Sequence, residues 1–165
     1  MAKPTLYIIG TPLGNRGDIT TRGLEVLRSL SHFFAEDTRE CRKLLNLYNV
    51  PVSDKSLHSY AKHNMRESTD KALCLLKEGY NIGFVTDRGT PGISDPGALL
   101  VEKAHAMGVN VIPIPGVSSV ITALSVSGFK SDQFLFLGFL PATAGERAKV
   151  LEKVAALHWP ICFFE

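Results

Sequence analysis

Short apolar runs rich in β-branched or aromatic residues alternate with segments of helical period along the whole chain, and this alternation restricts the fold more than any other feature. The strand-like runs are "TLYIIG" (5–10), "HFFAED" (32–37), a weaker "SLHSY" (56–60), "NIGFVTD" (81–87) and "VNVIPIP" (109–115). Between them lie "TTRGLEVLRSLS" (20–31), which sets Leu24, Leu27 and Leu30 on one helical face, "ECRKLLNLY" (40–48), "ESTDKALCLLKEG" (67–79) and "GALLVEKAHAMG" (97–108). In the third of these, cap-like Ser68, Thr69 and Asp70 mark the start and Gly79 the end. A strand, a helix and a further strand joined by short connections close as a right-handed crossover with parallel strands. The series therefore predicts an α/β fold, an open, mostly parallel sheet with helices on both faces.

After the fifth strand a helical "VSSVITALSVSG" leads to "GFKSD" (128–132), the best boundary candidate in the pattern. Beyond it come a strand "QFLFLGF", a loop "LPATAGER", a helix "RAKVLEKVAALH" and an apolar run "PICFFE". The expected organisation is an N-terminal α/β domain over 1–115, followed over 116–165 by the start of a second, truncated α/β domain. A length of 165 residues, 45% of them hydrophobic and 21% charged, is enough to bury a core and excludes a disordered chain.

The opening "MAKPTLYIIG" meets Gly10 and Pro12 too soon for a secretory leader, and no apolar run approaches membrane-spanning length. Cys41, Cys74 and Cys162 are odd in number and widely spaced, against a disulfide framework or a zinc site. A cytosolic location with no membrane partner is the expectation. A net charge of +2 does not by itself identify a nucleic-acid partner.

In an open parallel sheet, ligands bind beyond the carboxyl ends of the strands. Four loops rich in backbone-shaping residues fall there: "GTPLGN" after the first strand, "AEDTR" after the second, "TDRGTPGISDPG" after the fourth and "PIPGVSS" after the fifth. Glycines let a backbone approach a ligand closely, prolines hold the loop shape, and Asp or Ser fixes orientation. Ordinary turn formation explains each loop taken singly. "GTPLGN" is neither GxGxxG nor GxxxxGK[ST], so neither a dinucleotide nor a nucleoside triphosphate is supported. No GxSxG is present, and His32, His58, His63, His105 and His158 lack metal-ligand spacing, so no metal is expected.

Asp18 and Asp95 have a plain alternative as helix caps, and Glu36, Asp37 and Arg39 as a solvated ion-pair cluster. Asp87, directly at a strand end, faces the expected cleft. Arg39, Arg42 and Lys43 suit RNA phosphates or a solvated helix face equally well.

In order along the chain, "LYIIGTPLGNRGDIT", "AEDTRECRKLL", "TDRGTPGISDPG" and "PIPGVSSVITALSVSG" resemble the tetrapyrrole methylase superfamily, and most closely its branch that methylates a cytidine ribose 2′-hydroxyl in 16S ribosomal RNA. The resemblance spans nearly the whole chain and is continued by "FLFLGFLP" and "GER". It implies S-adenosylmethionine as cofactor, 16S ribosomal RNA in the small subunit as partner rather than DNA, and a homodimer. By the same resemblance Pro12 and Leu13 sit under the cofactor, Asp87 and Thr90 contact its polar part, and Ser118 and Ser119 complete the pocket. Activation of a ribose hydroxyl needs a base, for which Glu36, Asp37 and His63 are the candidates.

Departures from the family pattern are Ala61 where a histidine is usual, Arg88 in place of a small residue and Val117 where proline is common. The family also continues past "FFE", so little methyl transfer is expected from these 165 residues alone. The alternatives are a methylase for a tetrapyrrole or other small acceptor and a non-catalytic cofactor-binding or dimerising fragment.

Overall fold

In the computed structural model, which describes residues 3–165, the first five strands form one sheet. They are β1 (Thr5–Ile9), β2 (His32–Ala35), β3 (Ser56–Ser59), β4 (Ile82–Val85) and β5 (Asn110–Ile114), in the spatial order β3-β2-β4-β1-β5. Every pairing is parallel, so all five carboxyl ends lie at one edge. Helices α1 (Thr21–Ser29), α2 (Thr38–Leu47), α3 (Met65–Lys77) and α4 (Ala98–Ala106) connect successive strands.

The central strand β4 is buried along its full length, as a strand covered on both faces must be. One core layer joins Ile9, Phe33 and Val85 of the sheet to Leu27 of α1 and Cys41 and Leu45 of α2. The other joins Leu6, Phe34 and Phe84 to Ala72 and Leu76 of α3 and Leu100 and Ala104 of α4. Alternate residues of each strand therefore feed opposite layers, which is the period-two pattern of the sequence in three dimensions.

Helix α3 begins two residues earlier than expected, and Ser68 and Thr69 are buried within it rather than capping it. Ser68 Oγ reaches out of the helix and donates to the Ser59 carbonyl at 2.7 Å, while Thr69 Oγ1 donates one turn back to the Met65 carbonyl at 2.7 Å. The end is as expected. Gly79 (φ +92°) follows the C-cap, its N–H donating to Leu76 O and that of Tyr80 to Leu75 O, the paired bonds of a Schellman motif. Gly108 closes α4 in the same way.

Asp18 and Asp95 cap neither α1 nor α4. Thr20 caps α1, accepting from Gly23 N at 3.0 Å. Helix α4 starts from Gly97, whose φ is +139° and where a Cβ would stand 2.9 Å from the Phe84 ring.

Two compact units divide at Val117, with Ser118–Glu165 forming the second. It contains α5 (Ser119–Val126), β6 (Leu135–Phe139), α6 (Ala144–Ala155) and β7 (Ile161–Phe164), with β6 and β7 paired in parallel. Leu124 of α5 shares a largely apolar cavity of about 530 Å³ with Phe129, Trp159 and Ile161.

Candidate functional site

β2 continues to β3 on one side of it, while β4 continues past β1 to β5 on the other, so the connections diverge between the neighbouring strands β2 and β4. That divergence leaves a crevice beyond their carboxyl ends, the usual ligand position in open α/β sheets. Glu36 and Asp37 follow β2, and Thr86 and Asp87 follow β4. Residues expected to hold cofactor or take a proton are thus brought together by strand order alone.

The loops at this edge are fastened to one another. Thr11 N–H donates to Gly89 O at 2.9 Å and Gly89 N–H returns to Thr11 O at 3.0 Å, linking the β1 and β4 loops. Gly89 adopts φ +79° there, and Leu13 Cδ2 lies 3.2 Å from where its Cβ would stand. Thr90 Oγ1 donates to Val117 O at 3.0 Å, and Gly10 N–H donates to Ile114 O at 3.1 Å, tying in the β5 loop. Gly10 and Gly116 meet so closely that a Cβ on either would lie within 3.0 Å of the other's backbone. Buried Thr86 at the end of β4 has a hydroxyl without a hydrogen-bond partner among the described residues. Such a group is costly unless a further partner arrives.

Charge at the crevice is unevenly balanced. Burial first, then the neighbouring carboxylates Asp95 and Asp87, raise the pKa of half-buried Glu36, while the Lys62 ammonium partly offsets them. Burial also raises Asp87, against the Asp37 backbone, which pulls it down. Asp95 is raised by burial and then by Asp87, again offset by Lys62. Asp37 behaves in the opposite sense. Its carboxylate caps α2 through Arg39 N at 2.7 Å and grips the Arg39 guanidinium at 2.6 Å, which holds its pKa down at about 2.

The remaining expected residues are dispersed. His63 is exposed in the turn between β3 and α3. Pro12, Lys43 and Asp87 line one open cleft of about 250 Å³. Lys43 pairs with Glu40 at 2.5 Å, and Arg42 is exposed on α2 without an ion pair among the described residues. Ser118 and Ser119 are the N-cap and first residue of α5 in the second unit. Sequence reasoning missed Lys62, whose signal was a cation in the loop "SYAKHN" after β3, and it missed Arg16 and Arg88 on the cleft wall. Among the described residues, no group of three or more His, Cys, Asp or Glu is placed to hold a metal ion, and no helix is long and apolar enough to cross a membrane.

The family model described as Tetrapyrrole (Corrin/Porphyrin) Methylases matches residues 5–165. A ribosomal RNA small subunit methyltransferase I from Vibrio cholerae is 44% identical over 98% of this chain and 55% of its own length. One from Mesorhizobium japonicum is 42% identical over 99% of this chain and 54% of its own. The chain thus spans about half the length of these relatives. Among solved structures, diphthine synthase superposes with a TM-score of 0.72 over 97% of this chain and 63% of its own, at 14% identity, a likeness of fold alone.

Proposed function

Because the chain belongs to the tetrapyrrole (corrin/porphyrin) methylase family, we propose that it is the S-adenosylmethionine-binding part of a methyltransferase acting in the cytoplasm on a cytidine ribose 2′-hydroxyl of 16S ribosomal RNA. The observation that carries this reading is the near-complete match of the chain to relatives named for the small-subunit ribosomal RNA. It supports an RNA acceptor over a tetrapyrrole.

The crevice residues fit such a cofactor. Glu36, Asp87 and Asp95 crowd negative charge whose mutual repulsion a cationic sulfonium relieves. The Gly10–Gly116 approach keeps the backbone free of side chains, and the Thr86 hydroxyl has bonding capacity to spare. When bound, S-adenosylmethionine supplies an activated methyl group, and the protein's task is alignment. Asp87 and Thr90 of the β4 loop, with Pro12 and Leu13 of the β1 loop, are the residues we assign to holding it.

Glu36 is the base we assign. Its raised pKa gives it a stronger hold on a proton than an ordinary glutamate has, and a positioned base contributes roughly 10²–10⁴-fold to rate. Asp37, clamped by Arg39 and pulled down to about 2, is a poor proton acceptor.

Calorimetric titration with S-adenosylmethionine tests the cofactor. Asp87→Ala removes a charge-assisted hydrogen bond of about 1.5–3 kcal/mol, a rise in Kd of roughly tenfold or more; an unchanged Kd removes Asp87 from the site. Mass analysis of small-subunit RNA from cells lacking the gene tests the acceptor. The expected result is one cytidine ribose without its methyl group, and fully methylated RNA overturns the assignment.

A further inference from the structure

Arg16, Lys43 and Arg88 come from three separate elements, the turn after β1, helix α2 and the loop after β4, yet they line one open cleft of about 250 Å³. Of the cations expected from the sequence to meet RNA, Arg39 and Lys43 are engaged, while Arg42, without an ion pair among the described residues, does not line the cleft. Arg39 is bound by both carboxylate oxygens of Asp37, and Lys43 by Glu40. Arg16 and Arg88 differ. Both are exposed, and among the described residues neither guanidinium has a carboxylate within ion-pair distance or any hydrogen-bond acceptor in the protein.

Their backbones are nevertheless fixed. The Tyr48 hydroxyl at the end of α2 donates to Arg16 O at 2.6 Å, and Asn15 caps the turn that Arg16 opens. Arg88 immediately precedes Gly89, which is locked to Thr11 by two hydrogen bonds. Among the described residues the guanidiniums of these two anchored arginines make no hydrogen bond or ion pair, although the Arg88 charge draws the Asp87 pKa down. A guanidinium fork matches a phosphate in two parallel hydrogen bonds, which an ammonium does not.

We propose that Arg16 and Arg88 form a phosphate clamp that holds the backbone of single-stranded RNA over this cleft, with a ribose presented toward the crevice beyond β2 and β4. The clamp rests on the RNA-methylating reading. The cleft's openness suits a polymer backbone passing across it, and half-exposed Leu47 on its wall offers an apolar contact to a base. Asp87 also lines the cleft and follows β4 at the crevice, so a strand held there lies beside a residue assigned to holding the cofactor.

The test is fluorescence anisotropy of a labelled single-stranded RNA oligonucleotide with the 165-residue chain over a range of salt concentrations. Each phosphate contact on a single strand adds about 0.7 to the slope of log K against log salt. Arg16→Gln and Arg88→Gln should each lower the slope by about 0.7, and the double variant by about 1.4. Lys103→Gln, an exposed charge on α4 at the opposite face of the sheet, should leave it unchanged.

Unchanged slopes in both arginine variants overturn the clamp, as does a wild-type chain that binds no RNA. S-adenosylmethionine titrations of the same variants separate this from the cofactor reading. An unchanged cofactor Kd with a reduced RNA slope supports the clamp. A weakened cofactor with an unchanged RNA slope assigns the arginines to the cofactor's carboxylate instead and overturns it.

Discussion

Gly10→Ala places a methyl group where the β1 and β5 loops touch. The new Cβ would stand 2.9 Å from both the Cα and N of Gly116 and 3.4 Å from Ile114 O. These are backbone atoms, so no side chain can rotate away and the two loops must part by several tenths of an ångström. Overpacking of this kind costs about 1–3 kcal/mol. The parting also stretches the 3.1 Å bond from Gly10 N–H to Ile114 O, which contributes about 1 kcal/mol. The sum, about 2–4 kcal/mol, is a large fraction of an ordinary domain's stability. With a urea m-value of about 2 kcal/mol/M, the midpoint should fall by about 1–2 M, with m unchanged. Far-UV circular dichroism against urea is the assay, and Gly14→Ala is the control, because a Cβ at Gly14 meets nothing within 4 Å. If the two variants unfold at the same midpoint, the loops are not in contact and the fastening described above is wrong.

Glu36, Asp87 and Asp95 all have raised pKa values in the folded chain. Each binds its proton more tightly folded than unfolded, so the stability linked to it is complete below the unfolded value of about 4 and is lost as pH rises through the folded one. Glu36→Gln should therefore raise Tm at pH 7 and match the wild type near pH ~3.5; a lower Tm at pH 7 contradicts the crowding of carboxylates. In the second core layer, buried Thr69 donates to Met65 O, so the 2.7 Å contact between Tyr60 and Thr69 has the tyrosine as donor. Tyr60→Phe should cost about 0.5–1.5 kcal/mol and Thr69→Val, which strands the buried hydroxyl, about 1–3 kcal/mol. Urea denaturation showing the reverse order would remove that donor assignment.

By itself the sequence determined the elements and their class. Hydrophobic period is a local property, so "TLYIIG" and "NIGFVTD" declared themselves as strands, and Gly79 and Gly108 marked helix ends because only a residue tolerant of positive φ completes those turns. Parallel pairing followed from the crossovers, and with it the gathering of the Gly- and Pro-rich loops at one edge.

Only the tertiary structure decided which of those loops became neighbours. Strand order put β2 against β4, and so set Glu36 among Asp87 and Asp95, residues far away in the chain, whose charges and shared burial alter its proton affinity. The same folding made Asp37 a helix cap held by Arg39, drew Ser68 and Thr69 inside α3, and left Arg16 and Arg88 without an ion pair among the described residues beside one cleft. Pairing register, burial and charge neighbourhood are sums over residues distant in sequence. A local pattern of residue types carries the strand or helix but not the identity of what it will face.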